Sequence, residues 1–129
     1  MYASGHVTYI RLMAEMDGNW NPYSAFNADG GPRDAAHSTH AFKLAWERVT
    51  LILRGATLSH IDLVLARLGM PRLHTRADLP APEVAMLWVP QVAGSPAVPG
   101  NAPRPTGRAG AGSTGWAPTS TANSLTAPG

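Results

Sequence analysis

Residues 7–23 read VTYIRLMAEMDGNWNPY, and the architecture turns on how this stretch is parsed. Val7 to Met16 is mostly apolar and is closed by the turn pair Asp17-Gly18. A near-continuous apolar run of this kind suits a buried strand of a parallel sheet. On such a strand Val7, Tyr9, Arg11, Met13 and Glu15 would share one face, because successive side chains alternate. Glu15 would then stand at the C-terminal end of the strand. Arg11 would lie about 13 Å below it at roughly 3.3 Å per residue, too far for an ion pair, and would order the interior instead.

Working outward, Asn19 to Thr39 is dominated by Gly, Asn, Asp, Pro and Ser and predicts a long loop. Long loops inside compact domains tend to carry function. Phe42, Ala45, Trp46, Val49 and Leu53 then fall on one helical stripe, with Arg54-Gly55 as the expected stop. A second helix is expected from Ser59, its N-cap, with Asp62 three residues later. Its stripe is Ile61, Val64, Leu65 and Leu68, ended by Gly69 and Pro71. Val84 to Val89 (VAMLWV), fenced by Pro80, Pro82 and Pro90, predicts a second buried strand. Strand, functional loop, helices and strand in that order predict an α/β fold, either barrel or doubly wound sheet.

Composition sets outer bounds. The chain has 129 residues, whereas a complete (β/α) barrel needs about 250. Its five histidines include one close pair, His37 and His40, with no acid between them, so no metal site or other cofactor is expected. There is no cysteine for a disulfide or thiolate site. A net charge of +2, scattered along the chain, argues against a nucleic-acid partner. No apolar run is long enough to span a membrane, and no signal peptide is visible at the N-terminus. Residues 104–129 lack any hydrophobic period and are rich in Gly, Ala, Pro, Ser and Thr, so a disordered tail is expected there. Residues 1–103 form the segment expected to fold. Nothing in the sequence fixes the oligomeric state.

Glu15 is the first candidate for chemistry, because barrel enzymes keep catalytic groups at the C-terminal ends of their strands. The plainer alternative is a solvated carboxylate beside a hairpin turn. Trp20 and Tyr23 follow closely, and Trp88 ends the later strand. Aromatic faces beside a carboxylate suit the C–H faces of sugar rings, although packing is the commoner use of such residues, as expected for Trp46.

The segment YIRLMAEMDGNWNPYS resembles the acid/base signature of glycoside hydrolase family 26, in which Arg precedes His-Glu-Met-Asn-Gly, then Trp and a further aromatic. Arg11, Glu15, Met16, Gly18, Trp20 and Tyr23 match that pattern. FKLAWERVTLILRG is similar to the family's next helix, and MLWVPQVAG to its following barrel strand. The resemblance spans roughly Tyr9 to Pro103. It implies a partial (β/α)8 TIM-barrel fragment of a retaining glycosidase acting on a β-linked, mannan-like polysaccharide. It further implies that Glu15 is the general acid/base and that Trp20, Tyr23, Trp88 and Arg11 bind substrate. Intact relatives are often secreted.

Ala14 stands where the family has His, and Asp17 where it has Asn. Retaining enzymes need a second carboxylate about 5 Å from the first, and in this family it lies on a much later strand. None of the acids after Glu15 ends such a strand, so the chain is expected to be inactive alone. A non-catalytic carbohydrate-binding or scaffold protein is the alternative. Thr106 to Ala122, re-read in a shifted frame with third bases chosen freely, can spell a pattern similar to the family's next strand, which would imply a reading frame lost near Arg104.

Overall fold

The computed structural model describes residues 6–75 and 77–101. Its elements are β1 (Thr8–Ile10), α1 (Thr39–Arg54), α2 (Leu58–Arg67) and β2 (Val84–Met86). The tail expected from residue 104, with its shifted-frame reading, lies outside the described residues. The chain divides into two compact units. Among the described residues, the first joins 6–12 with Leu44–Trp88, and the second joins Met13–Lys43 with 89–101.

In the first unit β1 and β2 pair in parallel, Thr8 opposite Val84, Tyr9 opposite Ala85 and Ile10 opposite Met86. The Thr8 N–H donates to the Glu83 carbonyl at 2.8 Å, and the Leu87 N–H donates to the Ile10 carbonyl at 2.8 Å. Both strands are shorter than the sequence predicts. β1 ends at Ile10 rather than Met16, because Met13 and Glu15 adopt left-handed backbone angles (φ 45° and 57°) that no extended strand contains. Glu15 therefore does not continue the face of Val7, Tyr9 and Arg11, and Arg11 is exposed rather than interior. β2 ends at Met86 rather than Val89.

The two helices form where the sequence places them, with altered caps and faces. Ser38 starts α1: its Oγ accepts the Ala41 N–H at 3.1 Å and its carbonyl accepts the Phe42 N–H at 3.0 Å. The buried face holds Phe42, Trp46, Glu47, Thr50 and Leu51, while Ala45 is exposed. The stripe is thus rotated toward the 47–50–51 side. Thr50 is buried without cost to its hydroxyl, which donates to the Trp46 carbonyl at 2.7 Å.

Thr57, not Ser59, is the N-cap of α2, and it makes no side-chain cap bond. The first-turn N–H of Leu58 is satisfied instead by Asp78 Oδ1 at 2.6 Å. Asp62 does not close a capping box; its Oδ1 accepts the Leu73 N–H at 3.0 Å. The C-terminus is a Schellman motif. Met70 N–H reaches the Leu65 carbonyl at 2.8 Å and Gly69 N–H the Ala66 carbonyl at 3.1 Å, with Gly69 at φ +70°. Leu51, Ile61 and Leu65 form the buried centre of this unit, covered by Val64, Leu68 and Leu79.

Candidate functional site

Glu15, Trp20 and Tyr23 all belong to the second unit, whereas Arg11 and Trp88 belong to the first. The five residues singled out by the sequence are thus divided between units, and the site is built here from the second unit alone. Trp88 has a packing role in its own unit, standing edge-on against Trp46 at 5.2 Å and 83°.

The turn that carries Glu15 is fixed through its backbone. The Glu15 N–H donates to the Val89 carbonyl at 2.7 Å. The Glu15 carbonyl accepts the Gly18 N–H at 2.9 Å and Asn21 Nδ2 at 2.6 Å. One residue earlier, the Ala14 carbonyl accepts the Tyr23 hydroxyl at 2.7 Å. These bonds hold a non-glycine residue at φ 57°, a conformation that ordinarily costs about 1–2 kcal/mol. The main chain of this half-buried residue is thus tied at both of its polar groups.

Trp20 is 57% exposed. Its six-membered ring lies over Gly18, where an added Cβ would come within 2.5 Å of Cζ2. The absence of a side chain at Gly18 therefore sets where the indole rests. Arg33 clips the same loop, donating from Nη1 to the Pro22 carbonyl at 3.0 Å and from Nη2 to the Asn19 carbonyl at 2.7 Å. Only a forked guanidinium makes both bonds at once. Tyr23 also meets Phe42, with ring centroids 6.2 Å apart and tilted by 43°. A broad apolar ring held over a tight turn, two positions from hydrogen-bonding backbone, can stack on a flat ligand whose hydroxyls need donors and acceptors.

Asp17 is the residue whose place the sequence hid most completely. It is 0% exposed, and burial pushes its carboxyl above the ordinary aspartate range, with the nearby Glu15 charge adding to the effect. The Gln91 N–H, donating to Oδ1 at 2.9 Å, opposes the rise. The partners of Asp17 come from residues 91–101, which a local motif search around Glu15 does not reach. His37 Nδ1 sits 2.9 Å from Asp34 Oδ1, and this contact lowers the exposed Asp34 carboxyl. Among the described residues no group of three or more His, Cys, Asp or Glu is arranged to hold a metal ion. No helix among them is long and apolar enough to cross a membrane.

No family model matches the chain, and no curated protein or solved structure matches it.

Proposed function

We propose that the second unit presents a carbohydrate-binding surface derived from a β-glycan hydrolase of the family 26 type, with Glu15 as the proton-transferring carboxyl. The observation that carries this reading is the pairing of a backbone-fixed Glu15 turn with an exposed Trp20 and a tethered Tyr23 in one compact unit. Glu15 follows a parallel strand by a few residues, the kind of position from which barrel enzymes recruit catalytic groups. In the parent reaction Glu15 would protonate the departing glycosidic oxygen and then activate water. Under this reading the chain is a partial (β/α) barrel.

Binding without turnover is the second reading, and the other acids favour it for this chain. Asp29 accepts the Gly31 N–H at 2.8 Å, and Asp34, Asp62 and Asp78 each accept a main-chain N–H. Asp17 and Glu47 are buried. A retaining mechanism needs a second carboxylate presented to the sugar about 5 Å from the first, and these six are committed to their own turns, caps or core.

Release of reducing ends from soluble β-mannan and from mixed-linkage β-glucan separates the two readings. Binding of either polymer in affinity electrophoresis, without release, is the outcome expected for the chain alone. Release that survives Glu15→Gln would remove Glu15 from the chemistry, and failure to retard in either polymer would remove the carbohydrate reading.

A further inference from the structure

Asp17 makes contacts that the carbohydrate reading does not use. Its side chain sends Oδ1 to the Gln91 N–H at 2.9 Å, while Oδ2 is buried without a hydrogen-bond partner. Its carbonyl accepts the Ser95 N–H at 2.8 Å and Asn101 Nδ2 at 3.0 Å. Asn101 is itself fully buried and also donates to the Pro96 carbonyl at 2.9 Å. Gly18 pairs with Ser95, and the Asn19 N–H donates to the Ser95 carbonyl at 2.8 Å. Residues 17–19 are in this way laced to residues 91–101 within the second unit.

We propose that the Asp17 carboxyl is a proton-operated latch on this lacing, closed when the carboxyl holds a proton and released when it ionises. A buried carboxylate with one bare oxygen has lost its hydration and recovers little in return, the Gln91 N–H and its own main-chain N–H. The protonated acid carries no charge, so its unpartnered oxygen is far less costly. Among the described residues no cation is hydrogen-bonded to this carboxyl, whose partner from another residue is the Gln91 N–H. Glu15, on the same turn, adds like charge. Residues 89–101 contain no ionisable side chain, and the Arg33 guanidinium is engaged by the Pro22 and Asn19 carbonyls. Glu15 and Arg33 are therefore the charged groups to be reckoned with.

The sign follows from the direction of the shift. The folded carboxyl titrates above its ordinary 3.8, so over the interval between the two values the closed form keeps a proton that the open form gives up. Closure therefore weakens as pH rises through that interval and stays weakened above it, by at most about tenfold in the equilibrium for each pH unit crossed. This inference stands apart from the carbohydrate reading and survives or fails without it.

Amide hydrogen exchange of the full chain, read by NMR at Gln91 and Ser95 and corrected for intrinsic pH dependence, tests it. Protection at both amides is expected to fall with rising pH just above the ordinary aspartate range, by at most about tenfold per pH unit, and to be flat with pH in Asp17→Asn. Flat protection in the parent chain, or the same fall in Asp17→Asn, would overturn the latch. If Asp17→Asn does not fold, a carbon-detected titration of the Asp17 carboxyl in the parent chain decides. A midpoint above the ordinary range, shared by the Gln91 amide shift, supports the latch; a midpoint at or below it refutes the latch.

Discussion

The Tyr23 hydroxyl donates to the main-chain carbonyl of Ala14 at 2.7 Å, tying the loop after Gly18 to the residue just before Glu15. The side chain that the sequence nominates for sugar contact thus also shapes the turn that presents the carboxylate. Tyr23→Phe keeps the ring against Phe42 and removes this bond. A part-buried hydrogen bond of this kind contributes about 1 kcal/mol, so urea unfolding should show a loss of that size. An unchanged midpoint would mean that the bond does not hold the turn.

Backbone angle and side-chain chemistry at position 15 can be separated. Asn visits the left-handed region readily, whereas a β-branched residue there is an outlier. Glu15→Asn should leave stability within about 0.5 kcal/mol, and Glu15→Val should cost about 1–2 kcal/mol more. Thermal melts of the two variants make the comparison, and equal midpoints would speak against a left-handed Glu15.

Two helix-ending glycines differ in their surroundings. Gly55 has φ +66°, and a Cβ there would stand 1.7 Å from the Pro80 carbonyl oxygen. Gly69 has φ +70° with nothing within 4 Å of an added Cβ. Gly69→Ala should therefore cost only the conformational term, about 1 kcal/mol. Gly55→Ala must in addition displace backbone, and it should destabilise by well over about 2 kcal/mol. Denaturant unfolding of the pair gives the contrast, and similar losses would contradict the close approach at Gly55.

The helices were legible because their apolar spacing reports a face directly, and Gly55 and Gly69 marked their ends. The face of α1 was less so: Thr50 enters the buried side by bonding back to Trp46, which no hydropathy pattern discloses. The strand reading of Val7 to Met16 went too far because side-chain polarity carries no record of φ. Leu12 to Met16 stays mostly apolar while Met13 and Glu15 turn left-handed. Asp17 read as half of a surface turn, since its burial depends on Gln91, 74 residues away. The Arg33 clip on the Trp20 loop was likewise set by carbonyls that sequence does not locate.

The claim on which the functional account rests is that Glu15, Trp20 and Tyr23 face one carbohydrate. An NMR titration of the full chain with a β-linked manno-oligosaccharide tests it most directly. Saturable shifts of the Trp20 indole N–H, the Tyr23 ring and the Glu15 amide, all following one binding curve and lost in Trp20→Ala, are predicted. Unmoved Trp20 and Tyr23 signals at millimolar sugar would contradict it.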